Sequence, residues 1–112
     1  RGTVGRTQIG NKTHLDNLVQ VGHNTEVGDH STVCGLTGIA GSVRIGDDVV
    51  LGGQVGVKDH VRLGDGVHVA AKSGVTKNLA EPGAYSGFPA ESHRLRLKRE
   101  AKQRRRARKD AT

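Results

Sequence analysis

A large aliphatic residue recurs at every sixth position over most of this chain. The twelve positions from Ile9 to Val75, taken in steps of six, all hold Ile, Leu or Val, although these types make up only 25 of the 112 residues. A second series, four places after each, holds only Thr, Val, Ser or Leu. A period of six fits neither an α-helix nor an isolated alternating strand, and fixed periods are typical of repeat architectures. The spacing therefore predicts a solenoid of short β-strands and turns.

The composition agrees with small stacked units rather than an ordinary packed domain. Aromatic residues make up 2% of the chain, which has 17 Gly, whereas compact cores depend on large aromatic side chains. Gly often follows the large aliphatic residue, where we expect it to permit a tight backbone turn. The outward places should hold solvated polar residues, including Asn11, Asp29, Asp47 and Asp65. The alternative, a flexible Gly-rich linker, does not explain the strict phase.

This pattern resembles the hexapeptide repeat of left-handed parallel β-helices, in which three hexads close a triangular coil of 18 residues. The resemblance implies an all-β fold with left-handed winding. Residues 9–80 supply four coils, and residues 3–8 resemble part of a fifth. We expect residues 1–80 to form the β-helix, residues 81–90 an exit loop and residues 91–112 a basic, helical tail.

The positive charge of the chain is confined to the tail. Residues 91–112 contain ten Lys or Arg and three acidic residues, whereas residues 1–90 contain eight of each. Leu95, Leu97 and the many helix-forming residues predict a helix with a thin apolar face. Three interpretations stay open: a solvated helix, a docking surface for an acidic protein, or a nucleic-acid-binding segment. The lack of stacking aromatics disfavours nucleic acid.

The cysteine content and hydropathy of the sequence bear on the cellular compartment of the protein. The single Cys34 excludes a disulfide framework and suggests a reducing compartment. No apolar run reaches the roughly 18 residues that a membrane span needs. The chain starts at Arg1 inside patterned sequence, so we expect a fragment or a chain whose beginning lies elsewhere.

Stacking of 18-residue coils gathers chemically useful groups at one corner. Residues 18 apart would lie about 4.8 Å apart, which places Gly41 above His23, and Asp59 with its neighbour His60 one coil further on. A histidine beside a free amide N–H could act as a general base next to an oxyanion donor. The other histidines, His14, His30, His68 and His93, are expected on the surface or in the tail.

Three segments resemble the UDP-3-O-acylglucosamine N-acyltransferases of lipid A biosynthesis. These are Leu15–Asn24, Ile39–Ser42 and Glu81–Ala90. The resemblance implies transfer of a 3-hydroxyacyl group from acyl carrier protein to the 2-amine of a UDP-linked, 3-O-acylated glucosamine. It makes His23 the general base, Gly41 N–H the oxyanion donor, His60 a supporting group near the thioester and Asp16 an orienting residue. It also implies a cytoplasmic homotrimer with sites between subunits and no cofactor.

Two related groups of proteins differ at specific positions. The O-acyltransferase of the preceding step has Asp after its catalytic His, whereas Asn24 follows His23 here. γ-Type carbonic anhydrases bind zinc with two His five residues apart, a spacing that is not found here, so no metal site is expected. Two alternatives stay open: another hexapeptide acyltransferase that uses acyl-CoA, and a non-catalytic solenoid with a basic tail that binds a partner.

Overall fold

The structure is a computed structural model that describes residues 6–110, apart from the side chain of Asp110. Twelve short strands wind into three parallel sheets. The first sheet contains β1 (Gln8–Ile9), β4 (Glu26–Val27), β7 (Arg44–Ile45) and β10 (Arg62–Leu63). The second contains β2 (His14–Leu15), β5 (Thr32–Val33), β8 (Val50–Leu51) and β11 (Val67–Val69). The third contains β3 (Gln20–Val21), β6 (Gly38–Ile39), β9 (Gly56–Val57) and β12 (Gly74–Val75).

The strand register confirms the 18-residue coil. Gln20 pairs with Gly38, Gly38 with Gly56, and Gly56 with Gly74. The predicted parallel solenoid of about four coils is therefore confirmed, while its left-handed sense stays a prediction from the family resemblance. Of the expected fifth coil, residues 3–5 lie outside the described residues, and β1 begins at Gln8.

The turns between strands correct the expected role of glycine. Residues in the left-handed region at the corners include Asn24, Ser42 and His60, with φ angles of 57°, 60° and 62°. The tight backbone is therefore formed mostly by residues other than Gly. The Gly that follows an aliphatic residue serves close stacking instead, because a methyl group at Gly22 would lie less than 3.0 Å from the backbone of the next coil.

The core is a column of aliphatic side chains with hydroxyl groups between them. Leu51, Val33 and Val67 are fully buried. Thr25, Ser31 and Thr37 are also buried. Their hydroxyls donate to backbone carbonyl oxygens 15 residues ahead at 2.9–3.0 Å. This pairing explains why Thr and Ser can replace Val inside the prism, since a buried hydroxyl is tolerated only when it is hydrogen-bonded.

The segment after the coils is more ordered than the expected exit loop. Within residues 81–90, β13 (Gly83–Ser86) pairs in parallel with β11. A short β14 (Glu91–Ser92) pairs with β13 in antiparallel fashion and leads into helix α1 (His93–Asp110). The predicted C-terminal helix is therefore confirmed. Among residues 6–110, no helix is long and apolar enough to cross a membrane.

Candidate active site

The polar residues expected to be merely solvated form an ordered ladder along one edge of the prism. Asn11, Asp29, Asp47 and Asp65, here called the carboxylate corner, stack 18 residues apart. The Oδ1 atom of Asp29 accepts the N–H of Asn11 at 2.7 Å, and the same bond joins Asp47 to Asp29 and Asp65 to Asp47. Each aspartate caps an outward-pointing amide of the coil before it. These residues are exposed or half-buried, as expected, and the close stacking of coils in addition puts each carboxylate beside a backbone donor.

His23, Gly41 and Asp59 form the equivalent stack at another edge, here called the histidine corner. The backbone oxygen of His23 accepts the N–H of Ser42 at 3.1 Å, and that of Gly41 accepts the N–H of His60 at 3.2 Å. The His23 side chain is exposed. A methyl group placed on Gly41 would lie 3.9 Å from His23 Nε2. The expected stacking of the imidazole beside Gly41 is therefore present in the structure.

The peptide between Ala40 and Gly41 is held in one orientation by a buried hydroxyl. The side chain of Thr25, which is 0% exposed, donates from Oγ1 to the Ala40 oxygen at 3.0 Å. Because a trans peptide is planar with its C=O and N–H antiparallel, an inward carbonyl turns the Gly41 N–H outward. The donor thus points from the edge at which His23 lies.

The Gly41 N–H has no hydrogen-bond acceptor within residues 6–110. Asp59 has the sequence relation to Gly41 that Asp29 has to Asn11, yet its carboxylate lies elsewhere. Asp59 Oδ1 is 3.6 Å from Lys58 Nζ, and Oδ2 is 3.8 Å from His60 Nε2. An exposed amide without a partner, next to an imidazole, can donate to a developing negative charge.

The other two predicted site residues, His60 and Asp16, differ in their position relative to His23 and Gly41. His60 shares the corner with Asp59, and its side chain is 76% exposed. Asp16 is not brought to His23 within one chain. Its Oδ1 accepts the N–H of Asn17 at 2.7 Å at the other end of β3. An orienting role for Asp16 in the same subunit is therefore not supported by contact.

Sequence reasoning did not identify the side-chain hydrogen bonds next to the histidine corner. Asn24 Nδ2 donates to Ser42 Oγ at 3.1 Å, and Arg44 Nη1 donates to the backbone oxygen of Asn24 at 2.7 Å. The signal was available, because Asn24 and Ser42 are 18 residues apart. Together with Thr25, these contacts connect the backbone that follows His23 to the next coil.

An open groove of about 740 Å³ runs along the third sheet and reaches Gly22, Ala40 and Lys58, the residues directly before the histidine corner. Its bed includes the outward-facing Gly38, Gly56 and Gly74. A methyl group at Gly38 or Gly56 would touch nothing within 4 Å, whereas one at Gly74 would collide with the ring of Phe88. The exposed Phe88 therefore closes one end of a groove whose other end reaches Gly22 and Ala40. This shape suits an extended apolar chain.

Helix α1 carries the basic residues on an exposed surface. Arg96 Nε lies 3.4 Å from Glu100 Oε2, and Arg99 pairs with Glu91. The hydrogen bond to Glu91, followed by its charge, raises the pKa of Arg99. A concavity of about 750 Å³ follows the helix and is lined by Lys98, Ala101, Lys102, Arg105, Arg106 and Lys109. Their spacing places one row of cations along one face of the helix.

The start of α1 is fixed to the exit segment by a contact that sequence reasoning also missed. His93 was expected simply to lie in the tail. Its Nδ1 lies 2.7 Å from Oγ of Ser86, which is buried at the end of β13. This bond ties the first turn of the helix to the solenoid.

Comparisons with known proteins agree with this geometry. Residues 42–77 match the family described as bacterial transferase hexapeptide (six repeats). The chain is 54% identical over 101 residues to UDP-3-O-acylglucosamine N-acyltransferase 1 of Gloeobacter violaceus. That match covers 90% of this chain but only 29% of the relative, so the chain spans less than a third of the relative's length.

Two solved structures show how the likeness extends to the fold. The UDP-N-acetylglucosamine O-acyltransferase of Moraxella catarrhalis is 37% identical, with a TM-score of 0.76 over 78% of this chain and 34% of that one. A serine acetyltransferase of Neisseria gonorrhoeae, at 20% identity, has a TM-score of 0.72 over 76% of this chain and 36% of its own, and shares the fold alone. The hexads, the stacked coils and these relatives together identify the chain as a member of the hexapeptide-repeat acyltransferases.

Proposed function

We propose that this chain forms the catalytic part of an N-acyltransferase that transfers a 3-hydroxyacyl group from acyl carrier protein to the 2-amine of UDP-3-O-acylglucosamine. The observation that carries the proposal is the histidine corner, where His23 lies beside Gly41 and the outward-pointing N–H of Gly41 has no acceptor within residues 6–110. The 54% identity to a relative of that name supports the choice of substrates.

The His23 imidazole and the Gly41 N–H have complementary roles in the reaction. As the neutral amine attacks the thioester carbonyl, the new C–N bond forms and His23 accepts a proton from the nitrogen. The carbonyl oxygen becomes an oxyanion, to which the Gly41 N–H donates a hydrogen bond. Collapse of the intermediate breaks the C–S bond, and the imidazolium returns its proton to the leaving thiolate. An ammonium cannot attack, so acyl transfer falls at low pH.

The acyl chain of the donor or acceptor lies along the groove of the third sheet. The groove is lined by Ile39, Val57 and Val75 together with its three glycines. In this proposal the groove begins next to the place where the amine meets the thioester. His60 supports the thioester from the next coil. Asp16 orients a catalytic imidazole only if another copy of the chain brings it close, as in the homotrimer that we propose.

Acyl carrier protein docks on α1 in this proposal. Helix α1 contains ten Lys or Arg and two acidic residues, Glu100 and Asp110. A row of cations attracts an acidic partner, raises its association rate and fixes its register. The solvated-helix alternative assigns no partner to this row. We place the reaction in the cytoplasm, since a single Cys suits a reducing compartment.

A second candidate is an O-acyltransferase, favoured by the 37% identity to the Moraxella enzyme. Asn24, bound to Ser42, stands where the resemblance places Asp in O-acyltransferases, and this difference favours the amine acceptor. A non-catalytic solenoid assigns no role to the imidazole of His23 beside Gly41.

The test is acyl transfer by the full-length protein, comparing His23→Ala with His14→Ala. His14 is an exposed histidine on the second sheet and serves as the matched control. Loss of a general base should lower kcat by about 10²- to 10⁴-fold, with little change in the control. Wild-type activity in His23→Ala would remove the enzyme role. A preference for CoA thioesters over carrier-protein thioesters would replace the proposed donor.

A further inference from the structure

The residue before each capped amide at the carboxylate corner is glycine. Gly10, Gly28 and Gly46 precede Asn11, Asp29 and Asp47. A methyl group on any of the three would lie less than 3.0 Å from the Oδ1 atom of the capping aspartate. Real Cβ atoms do not come that close. A carboxylate can therefore cap the amide in this geometry only where the preceding residue has no Cβ.

The histidine corner has the aspartate but not the glycine. Asp59 follows Gly41 by 18 residues, as Asp29 follows Asn11, but Ala40 occupies the place equivalent to Gly10. The backbone around Ala40 repeats that of the other coils, with Ala40 N–H donating to Val57 O at 3.0 Å and its own oxygen accepting from Thr25. The Ala40 methyl group therefore occupies the space that the Asp59 carboxylate needs to reach the Gly41 N–H.

We propose that Ala40 is a positioning residue whose methyl group keeps the Gly41 amide open by excluding the Asp59 carboxylate. This inference rests on the proposed function of Gly41 as the oxyanion donor. In the structure the excluded carboxylate lies near Lys58 and His60 instead. Without the methyl group, Asp59 would take the only proton that Gly41 can donate. It would also place a negative charge where the oxyanion forms, and like charges at that distance repel.

The experiment removes only the methyl group. Ala40→Gly is made in the full-length protein, together with Ala40→Gly/Asp59→Ala, in which the capping carboxylate is also absent. Ala70→Gly is the matched control, because Ala70 holds the same hexad position but is followed by Ala71 rather than by the proposed donor. Glycine occupies this hexad position at six other places (Gly10, Gly22, Gly28, Gly46, Gly52 and Gly64), so the fold should tolerate all three variants.

Two readouts separate the inference from the proposed function. In Ala40→Gly, hydrogen exchange of the ¹⁵N-labelled Gly41 amide should slow, and kcat/KM should fall by about 10- to 100-fold, the ratio that a charge-assisted hydrogen bond represents. Both effects should vanish in the double variant and be absent in Ala70→Gly. An unchanged exchange rate in Ala40→Gly would overturn the inference and leave the proposed function untouched. Slow exchange with full activity would overturn the donor role of Gly41 and the inference with it.

Discussion

The carboxylate corner and the histidine corner are built on the same backbone plan but leave their amides in opposite states. In both, a buried hydroxyl holds the preceding carbonyl inward: Ser31 donates to Gly46 O, and Thr25 to Ala40 O. In both, the following N–H points outward. At one corner an aspartate accepts it at 2.7 Å, and at the other it has no acceptor within residues 6–110.

The difference shows how a repeat protein gains chemistry without changing its fold. A buried backbone amide without an acceptor reduces stability, whereas an exposed amide can donate to water. Omitting one cap beside His23 creates a donor that a substrate can use. The amides of Gly35 and Gly53 also have no acceptor within residues 6–110, so the feature that sets Gly41 apart is the imidazole of His23 beside it.

Among variants that compare the two corners, the largest effect is expected when the open donor itself is removed. Gly41→Pro deletes the N–H, and the positive φ of Ser42 (60°) fits a type II turn, in which Pro is favoured at the preceding position. Losing one oxyanion donor should lower kcat by about 10²- to 10³-fold. Steady-state acyl-transfer assays measure this loss.

Gly53→Pro is the matched control for that variant. Gly53 follows a carbonyl held by Thr37 in the same way, and position 54 also has a positive φ of 58°. Equal loss of activity in both proline variants would show that turn geometry, rather than the Gly41 donor, is responsible.

The groove should give the next largest effect. Gly56→Leu fills open space on the bed of the groove, since no atom lies within 4 Å of a methyl group there. We expect discrimination against long acyl chains to rise by about 10- to 200-fold, as for methylene-scale changes in apolar pockets. Competition between thioesters of different chain length measures it. Thr32→Leu, at the outward position of β5, should leave chain preference unchanged.

Removing the hydroxyl that orients the Gly41 peptide should affect activity less. Thr25→Val leaves Ala40 O without its donor and Val43 N–H without its acceptor, and Thr37→Val does the same to Gly52 and Val55. Both should lower the free energy of unfolding by about 1–3 kcal/mol in urea denaturation. Only Thr25→Val should also reduce kcat, by about 10-fold. Equal kcat values would mean that the peptide orientation does not serve catalysis.

The smallest expected effect compares two aspartates. Asp47→Ala removes the cap on Asp29 N–H and should lower the free energy of unfolding by about 1 kcal/mol, as loss of a helix cap does. Asp59→Ala removes only exposed ion pairs, whose median contribution is about 0–1 kcal/mol. Thermal denaturation of the two variants measures the difference. A greater loss for Asp59→Ala would contradict the distinction between the corners.

The sequence predicted the fold well because one period controls it. Spacing by six residues fixes which side chains point inward, and the family resemblance set the coil at 18 residues. From that coil length the meeting of His23 with Gly41 followed. The orienting role of Asp16 stays a prediction, because a sequence resemblance does not state which subunit a residue serves.

What the sequence could not supply are the contacts that depend on side-chain direction. Each cap needs a rotamer that directs the carboxylate of Asp29, Asp47 or Asp65 toward the coil before it. The hexad pattern does not specify rotamers. The position of Phe88 over Gly74 depends on the path of residues 81–90, where the hexads end. That path includes β13, which a search for six-residue periods does not detect.

Chemical rescue tests the central claim most directly. In the full-length His23→Ala protein, the rate of acyl transfer is measured with increasing concentrations of added imidazole. If His23 acts as the base beside the open Gly41 amide, imidazole should restore part of the lost rate in His23→Ala and have no effect on His14→Ala. A His23→Ala protein with undiminished activity, or one whose loss imidazole leaves unrelieved while the fold is intact, would contradict the account.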